Sequence, residues 1–188
     1  ELGADVNSPT SDGSTPVFVA AQYGHVEVIR LLAEMGADIN IPKRSGATPV
    51  FIAAYKGQVE VLRVLAELGA DVNSPTSDGS TPVFVAAQYG HVEVIRVLAE
   101  LGADINAPMA DGTPPIHCCI NPPIHIAAHN GHTKVLRVLS GLGADLDYCS
   151  SSEHSLFMLA VQNGHGDAAS FLVSMGVGVK QWVLSEWG

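Results

Sequence analysis

The chain repeats itself every 33 residues, and that period constrains its fold more than any other feature. Gly-Ala-Asp begins at Gly3, Gly36, Gly69 and Gly102, each 33 residues after the last, and again at Gly143, 33 plus 8 further on. Gly-His follows the same register at Gly24, Gly90, Gly131 and Gly164, with Gly57-Gln58 in the intervening place. Thr-Pro recurs at Thr15, Thr48 and Thr81. A unit this short cannot enclose a core, so copies must stack, each burying its apolar side on the next.

The local chemistry of one unit can be read in order. Asp12-Gly13, Ser45-Gly46 and Asp78-Gly79 are turn dipeptides in which Gly is free to take positive φ. Thr15 then caps a helix with Pro16 at its first position, where the missing N–H costs nothing. That helix runs through Ala20 and Ala21 and stops near Gly24. A second helix starts around His25 and places Val26, Ile29 and Leu32 on one face. Glu27 with Arg30, Glu60 with Arg63 and Glu93 with Arg96 stand three apart, the spacing of solvated ion pairs on one helix. Gly36 ends the helix in the left-handed conformation.

Asp-Gly-x-Thr-Pro, Ala-Ala-x-x-Gly-His and Gly-Ala-Asp-Val-Asn in this order resemble the ankyrin repeat, over about residues 1–176. The resemblance implies an all-α fold, an ankyrin-repeat solenoid of helix-turn-helix units with hairpin loops. About five repeats are expected, at 5–37, 38–70, 71–103, 104–144 with an 8-residue insertion, and 145–176. A tail at 177–188 reads as an irregular cap in which Trp182 and Trp187 cover the last repeat. The chain departs from the family where a His usually follows Pro by two residues. Phe18, Phe51 and Phe84 stand there, and Met158 in the last repeat, which exchanges a polar network for apolar packing.

The family also implies where a partner protein binds, a concave groove lined by hairpin turns and inner helices. Carried over by position, the first repeat contributes Ser11, Asp12 and Ser14, then Gln22 and Tyr23. The second contributes Arg44, Ser45 and Ala47, then Tyr55 and Lys56, with Lys43 alongside; the third gives Ser77, Asp78, Ser80, Gln88 and Tyr89. His129 and Asn130 follow in the fourth, Gln162 and Asn163 in the fifth. Three Tyr suit an interaction surface, because Tyr gives large contact area at low entropic cost. Lys43, Arg44 and Lys56 read as a basic spot between turns carrying Asp12 and Asp78, which sets register with a partner more than affinity. The family further implies Asn40, Asn73 and Asn106, each preceded by a Leu and an Asp, as positions met by asparaginyl hydroxylases; bonding within the hairpin accounts for those Asn equally well.

Two irregularities stand out. Residues 1–30 are identical to residues 67–96, so the first repeat lacks the polar outer face that normally ends an array. This predicts either a longer array or self-association through the N-terminal face. The second irregularity is a small duplication: Thr113-Pro-Pro-Ile-His-Cys-Cys-Ile120 precedes Asn121-Pro-Pro-Ile-His-Ile-Ala-Ala128. Only the second copy runs into Gly131-His132, so it is expected to form the inner helix, with the first copy as an extended loop. His117, Cys118, Cys119 and His129 are the residues there with zinc-type ligands, but adjacent Cys do not chelate easily together. A loop that enlarges the contact surface, or a neutral insertion, is the better reading.

Composition narrows the function classes. Net charge is −10 with 15% charged residues, which disfavours nucleic acid and anionic membrane surfaces. No apolar run reaches the length of a membrane span. Three Cys, two of them adjacent, make no disulfide framework and point to a reducing, intracellular compartment such as the cytoplasm. The Asp, Glu and His residues recur at structural positions, and no phosphate loop or nucleophile elbow is present, so a non-catalytic scaffold without cofactor is expected. The alternative is a structural spacer within a longer array, favoured by near-identical repeats whose surface positions have not diversified.

Overall fold

The computed structural model describes residues 5–107, 122–146 and 155–177. Ten helices form five pairs among them: α1 (Pro16–Tyr23) with α2 (Val26–Glu34), α3 (Pro49–Lys56) with α4 (Val59–Glu67), α5 (Pro82–Tyr89) with α6 (Val92–Glu100), α7 (Pro123–His129) with α8 (Thr133–Gly141), and α9 (Leu156–Gln162) with α10 (Gly166–Ser174). No strand occurs among the described residues. The second copy of the small duplication forms α7, as its run into Gly131-His132 requires; the first copy lies outside the described residues.

The first three odd-numbered helices begin alike. Oγ1 of Thr15, Thr48 and Thr81 accepts the N–H of Phe18, Phe51 and Phe84, each at 3.2 Å, and Pro follows at the first helical position. In α9, Ser155 Oγ takes the Met158 N–H in the same way at 3.3 Å. Pro122 precedes α7 and has no side-chain acceptor to offer, so the His125 N–H bonds the Pro122 carbonyl instead, at 2.9 Å.

Odd-numbered helices pack in one row and even-numbered helices in a second, each on its counterpart in the neighbouring repeat. The Ala-Ala pairs Ala53-Ala54, Ala86-Ala87 and Ala127-Ala128 are fully buried, and their small side chains let inner helices approach closely. Leu62, Leu65, Ile95, Leu98, Leu136 and Leu139 fill the space between the rows. Phe18 and Phe84 are buried and Phe51 packs against the core, the apolar packing expected in place of the family's His.

Polar ladders tie repeat to repeat. The N–H groups of Asn40, Asn73 and Asn106 bond within their own hairpins, to the carboxylates of Asp38, Asp71 and Asp104 at 2.8–2.9 Å, while the side-chain oxygens of these residues and of Asn7 reach the next repeat. Each accepts the backbone N–H of the next hairpin, from Asp38, Asp71, Asp104 and Asp145 at 2.8–3.2 Å. His91 Nε2 lies 3.0 Å from the Tyr55 carbonyl, His132 Nε2 2.9 Å from that of Gln88, and His165 Nε2 3.0 Å from that of His129. The His91 ring passes over Gly57, where a Cβ would come 3.1 Å from it, so Gly there serves the ladder as well as the turn.

The ion pairs also differ from the expected spacing. Arg30 reaches Glu67 at 2.8 Å and Arg63 reaches Glu100 at 3.3 Å, both one repeat ahead, instead of Glu27 and Glu60. Only Arg96 turns to the acid on its own helix, Glu93, at 3.9 Å. The reason is in the sequence: Gly141 stands where Glu67 and Glu100 stand in their repeats, so Arg96 has no acid ahead of it.

Candidate protein-binding surface

The hairpin turns are built from their own side chains. In the first, Thr10 and Ser14 hydroxyls both donate to the Asp12 carboxylate, the latter at 3.0 Å, and Lys43 of the next hairpin approaches it to 3.1 Å. The Thr10 hydroxyl, then Lys43 and Ser14, hold the Asp12 carboxyl far below the usual carboxylate range. Asp78 is lowered in the same way, with the Thr76 hydroxyl the largest cause. Ser14 and Ser80, expected as contact positions, are buried. Both close their hairpin, their carbonyls accepting from the Thr10 and Thr76 N–H groups at 2.9 Å, and they have no surface to offer.

The expected basic spot is divided. Lys43 is spent on Asp12 and also sits 5.4 Å from the Phe18 ring centre. Lys56 is the last residue of α3, about 12 Å along the helix from the hairpin that holds Lys43 and Arg44, and lies over the Tyr55 ring at 5.0 Å. Arg44 remains at the surface, and with Ser45, Phe51, Thr76, Ser77 and Asp78 lines an open cleft of about 400 Å³ between the second and third hairpins. A guanidinium at one wall, a carboxylate at the other and a half-buried aromatic ring between them suit an amphipathic chain segment.

A second feature lies at the far ends of the inner helices. Tyr23 ends α1, Tyr55 precedes the end of α3, and Tyr89 ends α5. The rings of Tyr55 and Tyr89 meet edge to face with centres 4.7 Å apart, and the neighbouring Tyr55 hydroxyl raises the Tyr89 phenol above its usual pKa. Tyr23 and Tyr89 stack beside His25 and His91. Despite these contacts Tyr23 is 63% exposed and Tyr89 48%.

The family model for ankyrin repeats, three copies to the model, matches residues 2–76, 71–122 and 119–181. The chain belongs to the ankyrin-repeat family. No match is found among curated proteins. Ankyrin repeats are in general protein–protein interaction modules and are typically non-catalytic. No helix among the described residues of this ankyrin-repeat protein is long and apolar enough to cross a membrane.

The remaining expected contact residues are placed unevenly. Gln22 and Gln88 are half-buried, and the Gln88 carbonyl accepts from Asn130 Nδ2 at 2.9 Å as well as meeting His132. Asn130 is thus engaged with the preceding repeat, while His129 is exposed, its Nδ1 2.9 Å from Asn130 Oδ1. Asn163 bonds back to the Leu159 carbonyl. Of the zinc-type residues, His117, Cys118 and Cys119 lie outside the described residues, and among those described no three His, Cys, Asp or Glu are grouped to hold a metal ion. His125 is buried in α7 at the family's structural His position, on a different footing from exposed His129. The Asn and His ladders were missed as contacts between repeats, although their 33-residue recurrence was visible; spacing within one unit says nothing about which unit a side chain reaches.

Proposed function

We propose that this ankyrin-repeat protein binds a partner protein through the groove formed by its hairpin turns and inner-helix ends, and carries out no chemistry on it. The observation that carries the reading is the row Tyr23, Tyr55 and Tyr89, in which the exposed rings of Tyr23 and Tyr89 flank a half-buried Tyr55 that meets Tyr89 edge to face. Exposed Tyr on a rigid scaffold gives contact area without an ordering cost. The cleft between Arg44 and Asp78 supports it, since opposite charges across an apolar floor fix the orientation of a bound segment. Asp12, Gln22, Lys56, Gln88 and His129 complete the surface; Ser14 and Ser80 are left out because they are buried.

The test compares capture of interacting proteins by the native chain and two variants of equal thermal stability. One has Tyr23, Tyr55 and Tyr89 changed to Ala, the other Arg44 and Asp78. A partner retained by the native chain should bind the Tyr variant at least about 30-fold more weakly, the loss of about 2 kcal/mol typical of an interface hot spot. Undiminished binding by both variants places the contact elsewhere. The spacer reading draws on the identical surfaces of repeats one and three; its signature is a chain that retains nothing specifically.

A further inference from the structure

The first two hairpin junctions share a backbone and differ in their side chains. The Arg44 N–H bonds the Asp12 carbonyl at 3.3 Å, and one repeat on the Ser77 N–H bonds the Ser45 carbonyl at 2.9 Å. At the first junction Lys43 crosses from the second hairpin to the Asp12 carboxylate and lies over the Phe18 ring, which is 2% exposed. At the second junction Ser45 stands in the place of Asp12, and Thr76 in the place of Lys43. Thr76 is too short to cross, and its hydroxyl turns to Asp78 on its own hairpin. Phe51, the equivalent of Phe18, is left half-buried. Phe51 and Thr76 both line the open cleft of about 400 Å³, so the cleft occupies the place that the Lys43 side chain fills one junction earlier.

The groups around the cleft specify its occupant. Arg44 is exposed and forms no ion pair among the described residues. Asp78 retains capacity for a cation, because its equivalent Asp12 holds two hydroxyl bonds and the Lys43 ammonium together. Among the described residues no ammonium or guanidinium meets Asp78. A cation on one wall, an anion on the other and an aromatic ring between them are not matched by a single charge of either sign. A segment that carries both charges matches them. The volume stands at the small end of ligand pockets, so a few side chains enter it and a folded element does not.

We propose that this cleft reads the partner's sequence: it takes an apolar side chain on Phe51, flanked in the same short segment by an acid on Arg44 and a Lys or Arg on Asp78. The first junction, closed by Lys43, reads nothing. The assignment rests on the groove reading and narrows it to one junction and one pattern of residues.

The probe is a phage-displayed library of random peptides of about 12 residues, followed by titration of a synthetic peptide of the recovered sequence. Recovered peptides should share an apolar residue with Asp or Glu on one side and Lys or Arg on the other, in one order. Exchanging that acid and base within the peptide should weaken binding about tenfold or more, with the protein unchanged. Arg44→Gln should weaken the parent peptide about tenfold and leave unaffected a peptide whose acid is already an amide, a coupling that misfolding does not produce. Ser45→Asp with Thr76→Lys copies the first junction, which this chain already folds, and should close the cleft and abolish binding. Peptides without the pattern, no recovered peptide, or binding indifferent to both Arg44→Gln and the copied junction overturns the proposal. Where such indifferent peptides are lost on changing Tyr23 and Tyr89 to Ala, the wider groove reading stands without this subsite; where they are retained, both fall.

Discussion

Asp12 and Asp78 occupy equivalent turns and both hold their protons more weakly than a free carboxyl, because hydroxyl donors are aimed at the charged form. A carboxyl whose pKa is lower folded than unfolded stabilises the fold above its unfolded value, here near 3.8, and ceases to as pH falls through the folded value. The urea midpoint should therefore be level above about pH 5 and decline below about pH 4. Changing both residues to Asn should lower the midpoint at pH 6 and make the acid decline shallower. Gly46 and Gly69 allow a second comparison. Both have positive φ, 81° and 89°, but a Cβ on Gly46 would come 2.6 Å from the Ser77 nitrogen whereas one on Gly69 meets nothing within 4 Å. Gly69→Ala should cost about 1–2 kcal/mol from the left-handed backbone alone, and Gly46→Ala clearly more, by denaturant unfolding.

At the scale of the helix, the starts and stops were legible and the cross-links were not. Thr15 as cap, Pro16 after it and Gly24 beyond the end are local signals, because each acts on backbone groups within four residues. Glu27 with Arg30 also looked local, yet Arg30 pairs with Glu67, a carboxylate that stacking of the next repeat brings to 2.8 Å. His91 shows the same dependence: it begins α6 without capping it and spends its ring on Tyr55 of the preceding repeat. His91→Ala should cost about 1 kcal/mol by losing that bond. His25→Ala, in the same local sequence without a preceding repeat, should stay within about 0.5 kcal/mol. Paired unfolding curves of the two variants check this.

For the whole molecule, residues 1–30 and 67–96 form a natural control, equal in every local property and unequal in burial. Residue-resolved amide exchange should show α1 and α2 opening at much lower free energy than α5 and α6, because a repeat is stabilised by its interfaces and repeat one has a single one among the described residues. Val94→Ala should cost about 2 kcal/mol from lost burial and the residual cavity. Val28→Ala should be neutral or slightly stabilising, by about 0.5 kcal/mol of helix propensity. The two helices differ only in Leu31 against Val97, so the difference between the two substitutions measures mainly packing. The candidate surface divides similarly. Tyr23 and Tyr89 were readable as exposed because they follow the buried Ala-Ala pair, whereas burial of Ser14 and Ser80 depends on how the hairpin closes.

The sequence by itself determined the unit: its period, its helix ends, its turns, the apolar stripe that forbids it from standing alone, and so its family. These follow from interactions within one 33-residue copy, and the same residues produce them wherever the copy occurs. Only the tertiary structure decided which side chains belong to the junctions. Asn40 reaching Asp71, Arg30 reaching Glu67 and Lys43 reaching Asp12 join residues 31 to 37 apart. Those distances exist once repeats are stacked, and the rise and rotation from one repeat to the next are set by packing of the buried Ala, Leu and Ile side chains. Val28 and Val94 state the division most simply, since one residue in one local sequence is solvent-facing at the first position of the stack and core at the third.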